Sequence, residues 1–274
     1  FTGASPFQDL RAEYVGETSV NLTWTVTDSN SSSYMYRIEV VNGSSSGNLT
    51  VFAPEVEITN LVPGTLYNFT VFAVVNGNQT EGGAFIQLYT RPSPVQDLRA
   101  EYVGETSVNL TWTVTDSNSS SYMYRIEVVN GSSGGNLTFS VPEAEITDLV
   151  PGTLYSFTVF AGVNESQTEG EGVSIDLYTR PSPVQDLRAE YVGETSVNLT
   201  WTVTDSNSSS YAYRIEFVNG SSGRNLTFSV PEAEITDLVP GTLYSFTVFA
   251  GVNESQTEGE GVSIDLYTSK SPFL

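Results

Sequence analysis

The fold is indicated most strongly by one stretch of seven residues, Leu149-Val150-Pro151-Gly152-Thr153-Leu154-Tyr155. A proline followed by a glycine is typical of a tight turn, and the apolar residues around it are typical of strands. The same seven residue types occur again at 61–67 and at 238–244. The chain of 274 residues is therefore an array of one repeated unit rather than one large domain.

Tryptophan gives the length of the repeat. Trp24, Trp112 and Trp201 are separated by 88 and 89 residues, and a repeat of this length with its own tryptophan is long enough to be a complete domain. Ser271-Pro272-Phe273 also repeats the three residues at 5–7, as if another unit began there. The predicted domains are residues 1–90, 91–179 and 180–268, with 269–274 as the start of a truncated following repeat.

Within one unit the hydrophobic pattern has a period of two. In the second unit apolar and polar residues alternate through 98–102, 108–112 and 122–128, as expected of half-buried strands. Further short apolar runs, separated by turn residues, follow at 137–141, 144–149, 155–163 and 173–179. This pattern predicts an all-β fold, with three tandem seven-stranded antiparallel immunoglobulin-like sandwiches in an elongated array.

The second unit resembles a fibronectin type III domain. The resemblance rests on Pro94 and Leu98, on Trp112, on Tyr124-Arg125-Ile126 and on 149–155. It implies one sheet of strands A, B and E and another of strands C, C′, F and G, with the Tyr155 hydroxyl bonded back to the backbone in a tyrosine corner. It also implies that eight side chains face inward, namely Leu110, Trp112, Ile126, Tyr155, Phe157, Val159, Ile175 and Leu177.

Asparagine glycosylation signals are dense in this chain. The Asn-X-Ser/Thr sequon occurs sixteen times, which favours a secreted or cell-surface origin. With this density of sequons and the sequence Pro-Gly-Thr-Leu-Tyr-Asn-Phe-Thr-Val-Phe at 63–72, the chain resembles the ectodomains of receptor-type protein tyrosine phosphatases. Tenascin-like matrix proteins and cytokine-receptor-like ectodomains share the same module. The predicted glycosylation sites are Asn21, Asn30, Asn42, Asn48, Asn68, Asn78, Asn109, Asn118, Asn130, Asn136, Asn164, Asn198, Asn207, Asn219, Asn225 and Asn253.

Composition excludes several classes of function. The chain has no cysteine and no histidine, so thiol and imidazole catalysis and the usual zinc or copper ligand sets are excluded. Its net charge of −22 disfavours nucleic acid and anionic lipid, and no apolar run approaches the length of a membrane span. We predict no catalytic residue, no metal and no cofactor. Any phosphatase activity would lie in a cytoplasmic domain that this chain lacks.

One loop superficially resembles a calcium-binding loop. Asp116 would be its first ligand and Glu127, eleven residues later, its last. Ser121 stands where a glycine should allow the sharp turn, and Glu127 falls in a predicted strand. A glycan on Asn118 would also obstruct a metal ion, so no calcium site is predicted here.

The outward face of strands C, C′, F and G is the candidate contact surface. We expect Arg125 and Phe160 of the second unit on this face, with Arg214 and Phe249 at the matching positions of the third. Phe160 can also simply lie over the aliphatic part of Arg125. In the first unit a glycan on Asn68 would cover the same face. The hypothesis is that contacts through this face use the second and third units.

Units two and three differ at only three positions between 94–179 and 183–268. The third unit has Ala212 in place of Met123, Phe217 in place of Val128 and Arg224 in place of Gly135. We expect Phe217 to enlarge the packing at one end of the core of the third unit.

The linkers at 91–94 and 180–183 each contain two prolines, which predicts a semi-rigid connection and an array about 100 Å long. The predicted function is a non-catalytic, glycosylated, extracellular segment of a larger cell-surface receptor. It would act as a spacer and bind a protein ligand, another cell-surface protein or a copy of itself. The alternatives are a secreted extracellular-matrix or scaffold protein, and an accessory module of a secreted enzyme.

Overall fold

The computed structural model describes residues 7–27, 34–43, 45–75, 77–79, 82–131, 133–164, 166–220 and 222–270. The predicted sequon at Asn30 and the last four residues of the predicted segment 269–274 lie outside this part of the chain. The described residues form 22 strands and two single-turn 3-10 helices, and they contain no α-helix.

The strands fall into three successive groups, one for each unit. The first unit contains β1 (Phe7–Val15), β2 (Val20–Val26), β3 (Met35–Asn42), β4 (Ser45–Val51), β5 (Glu55–Ile58), β6 (Leu66–Val75), β7 (Asn78–Gln79) and β8 (Ala84–Tyr89). The second contains β9 (Gln96–Val103), β10 (Val108–Thr113), β11 (Tyr122–Asn130), β12 (Ser133–Phe139), β13 (Glu143–Ile146), β14 (Leu154–Val163) and β15 (Val173–Tyr178). The third contains β16 (Gln185–Val192), β17 (Val197–Thr202), β18 (Tyr211–Asn219), β19 (Ser222–Phe228), β20 (Glu232–Ile235), β21 (Leu243–Val252) and β22 (Val262–Tyr267). The 3-10 helices, Ser119–Ser121 and Ser208–Ser210, precede β11 and β18.

Each unit consists of two antiparallel sheets. In the second unit the orders are β13-β10-β9 and β12-β11-β14-β15. Strands A, B and E are therefore β9, β10 and β13, and strands C, C′, F and G are β11, β12, β14 and β15. In the first unit the two-residue strand β7 also pairs with β6. The predicted all-β class and the division of strands between the two sheets are confirmed.

Each sandwich closes around its own core because the strands alternate buried and exposed side chains. In the second unit the rings of Trp112 and Tyr124 meet edge to face, with their centroids 5.2 Å apart. Phe157 is wholly buried in the same core. Burying a side chain of this size contributes about 1.5–3 kcal/mol. The eight residues predicted to face inward are all found in or against this core, with Ile175 and Leu177 only half-buried.

The tyrosine corner is present in every unit. The Val150 N–H donates to the Tyr155 hydroxyl at 3.0 Å, and the matching pairs in the other units have the same distance. Thr179, after β15, is wholly buried, and its hydroxyl donates to the Val150 carbonyl at 2.6 Å while accepting the Thr153 N–H at 3.0 Å. The Pro-Gly-Thr turn is thus held from both of its sides, with Gly152 at a φ of +59°.

Phe217 extends the core of the third unit, as predicted. It is 3% exposed and stacks on Phe246 with ring centroids 5.7 Å apart, whereas Val128 in the second unit is half-buried. Phe217 lies directly opposite Arg224 across β18 and β19, and the Arg224 guanidinium is 5.6 Å from its ring centroid. Two of the three differences between these units are therefore cross-strand neighbours that pack together.

Candidate functional surfaces: the joints and the outer sheet face

Neighbouring units meet at a joint, in which a tyrosine of one unit packs on the Pro-Gly-Thr turn of the unit before it. Tyr122, at the start of β11, is 2% exposed. A β-carbon added to Gly64 would lie 2.6 Å from the Tyr122 Cζ, well inside van der Waals contact. Gly64 also has a φ of +58°, which residues with a side chain rarely adopt. Both conditions require glycine at this position.

Asp116 holds the joint tyrosine in place. The Tyr122 hydroxyl donates to Asp116 Oδ2 at 2.8 Å, and the Ser93 N–H of the linker donates to the same oxygen at 2.8 Å. Burial raises the pKa of the Tyr122 hydroxyl, and the hydrogen bond to the Asp116 carboxylate raises it further. The carboxylate that opens the calcium-like loop therefore connects the linker to the joint.

Asn118 forms a hydrogen bond across the joint. Its Nδ2 donates to Thr65 Oγ1 at 2.7 Å. The Thr65 hydroxyl itself donates to the Pro63 carbonyl at 3.0 Å, so its oxygen is oriented to accept from Asn118. A groove of about 570 Å³ runs beside this bond, between the two units.

The first linker is bonded to both units. The Arg91 N–H donates to the Gly16 carbonyl at 2.9 Å, and the Arg91 carbonyl accepts the Gly64 N–H at 3.2 Å. Pro92 is buried and lies against Gly170 of the next unit, where a side chain would collide with it. The linker is therefore in contact with the units on both sides along its length.

The second joint repeats the first. Asn207 Nδ2 donates to Thr153 Oγ1 at 2.6 Å, and the Tyr211 hydroxyl donates to Asp205 Oδ2 at 2.8 Å. A β-carbon on Gly152 would lie 2.6 Å from the Tyr211 Cζ. The accompanying groove has a volume of about 630 Å³. The two connections thus use the same residue types in the same geometry.

One further hydrogen bond crosses the second joint. The Tyr178 hydroxyl, at the end of β15, donates to Glu254 Oε2 at 3.1 Å. This hydrogen bond to a carboxylate raises the pKa of Tyr178. Tyr267 at the matching place in the third unit is 66% exposed.

The outer face of the four-stranded sheet carries a compact group of three side chains in the second unit. Arg125 and Phe160 are cross-strand neighbours, and the Arg125 Cζ lies 3.9 Å from the ring centroid, so the predicted local packing is present. Glu169 accepts from Arg125 Nε and Nη2 at 2.9 Å each, and these bonds raise the pKa of Arg125. The third unit has the same group, formed by Arg214, Phe249 and Glu258.

The first unit presents a different outer face. Arg37 Nη1 donates to Gln79 Oε1 at 2.7 Å, where the other two units use a glutamate. Phe85 on β8 is 75% exposed, and Asn68 is exposed on the neighbouring strand β6. Phe85 is a candidate contact residue that the sequence reasoning missed. The available signal was a phenylalanine where the other two units have serine.

The sequon asparagines divide into two groups by exposure. The exposed ones are Asn21, Asn48, Asn68, Asn78, Asn109, Asn136, Asn164, Asn225 and Asn253. The half-buried ones are Asn42, Asn118, Asn130, Asn198, Asn207 and Asn219. Glycosylation at any of them remains a prediction, and so does a contact role for Arg125, Phe160, Arg214 and Phe249.

The described part of the chain lacks both a cluster of metal-binding side chains and a helix suited to a membrane. There, no three acidic side chains lie close enough together to hold a metal ion. No helix in the same residues is long and apolar enough to cross a membrane.

Three sandwiches of this topology, each with a tyrosine corner and joined in tandem, define a class of modular β-sandwich proteins. The family model for the fibronectin type III domain matches residues 5–86, 93–175 and 182–264. The chain belongs to the fibronectin type III family. The predicted domain limits are wider than the matched ranges and remain predictions.

Among curated proteins, the chain is similar to receptor-type tyrosine-protein phosphatases. It is 61% identical over 275 residues to receptor-type tyrosine-protein phosphatase eta of Gallus gallus, covering 100% of this chain and 20% of that protein. It is 34% identical to phosphatase eta of Mus musculus, covering 98% of this chain and 21% of that protein. It is also 28% identical to tenascin-R of Rattus norvegicus over 71% of this chain and 14% of that protein. The predicted resemblance to receptor phosphatases is confirmed, and the chain spans about a fifth of the length of the first two relatives.

The joint is the feature that sequence reasoning did not identify. Sequence alone marks Asn118 and Asn207 only as sequons, and Asp116 only as the first residue of a loop rejected as a calcium site. The available signal was the recurrence of Asp, Asn and Tyr, at 116, 118 and 122 and again at 205, 207 and 211, after each proline-rich linker. No rule of local sequence connects these residues to a Pro-Gly-Thr turn more than fifty positions earlier, because the contact is tertiary.

Proposed function

We propose that this chain is an extracellular, glycosylated and non-catalytic segment of a larger cell-surface receptor, in which it acts as a spacer and as a surface for protein contact. The observation that carries the proposal is the repeated joint. Successive units meet through the same contacts at both joints. Tyr122 packs on Gly64 at the first joint and Tyr211 packs on Gly152 at the second, and each tyrosine is bonded to an aspartate. A connection that repeats one geometry extends the array by a constant step, which suits a spacer.

The extracellular location is supported by the similarity to receptor-type phosphatases and by the sequons. Nine of the sequon asparagines have exposed side chains, so glycans attached there would extend into solvent without disturbing a core.

Small-angle X-ray scattering of the whole chain, made without glycans, tests the spacer role. We expect a maximum dimension of about 100 Å and a narrow range of shapes. Replacing the linker prolines, with Pro92→Gly and Pro94→Gly, should widen that range because glycine restores backbone freedom. Pro142→Gly, in an exposed turn within the second unit, is the matched control and should change nothing. A compact globule in the parent protein would contradict the proposal.

The contact surface is proposed to be the outer face of the second and third units. The Arg125–Phe160–Glu169 group and its counterpart in the third unit form two similar, partly covered platforms. Two weak contacts on one array can bind a clustered protein partner more tightly than either alone. In a cell-binding assay, Phe160→Ala with Phe249→Ala should reduce binding. Phe72→Ala, at the matching position opposite Arg37 in the first unit, should not. Equal losses from all three substitutions would refute the assignment, and Phe85→Ser tests the exposed ring that is particular to the first unit.

The second candidate function is a secreted matrix or scaffold protein. The similarity to tenascin-R favours it, although at lower identity and over less of the chain than the similarity to the phosphatases. A transmembrane segment in the full-length protein would support the receptor, and its absence from the full-length protein would support the matrix protein.

A further inference from the structure

Two sequon asparagines, Asn118 and Asn207, each donate a side-chain hydrogen bond to the preceding unit. In N-glycosylation the carbohydrate is attached to the asparagine side-chain nitrogen. That nitrogen, Nδ2, is the atom that donates to the preceding unit, at 2.7 Å in the first joint and 2.6 Å in the second. A glycan would therefore be attached to the same atom that links the two units, and would leave that nitrogen one N–H with the bulk of a sugar beside it.

The surroundings of this nitrogen leave little room on the side of the preceding unit. Thr153 is 7% exposed, and its hydroxyl is held in position by donating to the Pro151 carbonyl at 3.0 Å. Asn118 and Asn207 are themselves half-buried. A sugar on Nδ2 would have to enter the groove between the units, whose walls are the Pro-Gly-Thr turn on one side and the serine-rich loop on the other.

More sequons line the groove of the first joint than that of the second. Its groove of about 570 Å³ is lined by three sequon asparagines, Asn42, Asn68 and Asn118. The groove of the second joint, of about 630 Å³, is lined by two, Asn130 and Asn207. The position of Asn68 is taken there by Ser156. Branched carbohydrates that converge on one narrow groove exclude each other and the opposite wall.

We propose that the joints are hinges controlled by N-glycosylation of Asn118 and Asn207. Without carbohydrate, the side-chain amide holds the neighbouring units together. With carbohydrate, one Nδ2–H bond is replaced by a bond from Nδ2 to the anomeric carbon of N-acetylglucosamine, and the sugar separates the units. The oligosaccharide comes from a lipid diphosphate donor, which leaves as the lipid diphosphate, and the amide proton passes to a base. The inference rests on the proposed extracellular, glycosylated function.

The absence of cysteine makes the hinge directly measurable. Glu57, Glu145 and Glu234 occupy matching exposed positions on β5, β13 and β20. Spin labels on Glu57→Cys with Glu145→Cys report the first joint, and labels on Glu145→Cys with Glu234→Cys report the second. Pulsed electron paramagnetic resonance then gives the distribution of distances between the spin labels across each joint, while mass spectrometry gives the occupancy of every sequon.

The test compares the whole chain made in mammalian cells with the whole chain made in bacteria, which attach no N-glycan. We expect a narrow distribution in the bacterial protein and one about twofold wider in the glycosylated protein, wider at the first joint than at the second. Ser120→Ala and Ser209→Ala remove the two sequons but keep both asparagines, and each should largely restore the narrow distribution at its own joint. Thr138→Ala, which removes the exposed sequon at Asn136, is the control and should restore neither.

The outcomes separate this inference from the proposed function. Glycans on Asn118 and Asn207 with unchanged distance distributions would overturn the hinge. Glycans on the exposed sequons but on neither joint asparagine would also overturn it, while leaving the proposed function intact. Carbohydrate on no sequon would overturn both.

Discussion

Replacing Gly152 by alanine should open the second joint, whereas the same substitution at Gly241 should leave the array closed. Both glycines occupy the same place in the Pro-Gly-Thr turn, with φ of +59° and +65°. Alanine at a positive φ costs about 1–2 kcal/mol at either position. The difference between the two lies in what the new methyl group meets.

At Gly152 the added carbon would lie 2.6 Å from the Tyr211 Cζ, whereas ordinary contact begins at 3.4 Å. Expelling the Tyr211 ring would lose its burial, about 1.5–3 kcal/mol, and its bond to the Asp205 carboxylate, about 1.5–3 kcal/mol more. Separating the units loses the contact of Tyr211 with the turn, the Asn207–Thr153 bond, about 0.5–1.5 kcal/mol, and an exposed bond between Tyr178 and Glu254 that is worth little. Tyr211 then keeps its packing in the core of the third unit and its bond to Asp205. Separation is the less costly response, so we expect the joint to open and both units to stay folded.

At Gly241 the nearest atom is the Lys270 Cγ at 3.2 Å, on a flexible side chain that can move aside. The assay is the distance distribution between labels at Glu145→Cys and Glu234→Cys in protein without glycans. Chemical denaturation of both variants should show the same small loss of stability in the substituted unit. A narrow distribution in the Gly152→Ala protein, or the same broadening in the Gly241→Ala protein, would refute the role of the glycine–tyrosine contact.

Three other predictions concern single units. Burial and the hydrogen bonds to Asp116 and Asp205 raise the pKa of Tyr122 and Tyr211 above the unfolded value of about 10, so their contribution to stability is complete below that pH and is lost as the pH rises above it. Melting temperatures of units two and three should therefore stay level from neutral pH to about pH 10 and fall beyond it, and a decline that begins well below pH 10 would contradict this origin. Phe217→Val should destabilise the third unit by about 1–3 kcal/mol in urea unfolding, because it leaves a gap beside Phe246, whereas Val128→Ile, at the matching half-buried position, should change little. Tyr155→Phe removes the tyrosine-corner bond and should cost the second unit about 0.5–1.5 kcal/mol, and an unchanged unfolding midpoint would show that the bond contributes nothing.

The parts of the fold that could be predicted from the sequence are those that depend on short-range patterns and motifs. Alternation of apolar residues located the strands, and the Pro-Gly-Thr-Leu-Tyr stretch located the tyrosine corner, because both depend on residues close together in the chain. The burial of Thr179 was not foreseen, since a threonine after a strand looks like a surface residue until its partners at Val150 and Thr153 are known.

The candidate surfaces were predicted less completely for a related reason. The pair of Arg125 and Phe160 follows from strand pairing alone, but their third partner, Glu169, lies in a loop forty-four residues away. The joint depends on contacts between separate units, where Asn118 meets Thr65 across fifty-three positions. Such contacts are set by how two folded surfaces fit, and neither hydrophobic period nor turn chemistry encodes that fit.

The joint has a consequence for how such a chain can grow. Each unit carries, in its own sequence, both halves of the connection: an Asp-x-Asn loop with a tyrosine in its first half and a Pro-Gly-Thr turn in its second half. A gene segment that encodes one unit can therefore be copied in place, and the new copy fits its neighbours on both sides without a single compensating mutation. The length of the array can therefore change by whole units, and two units that differ at only three positions fit together at a joint with the same contacts as the first.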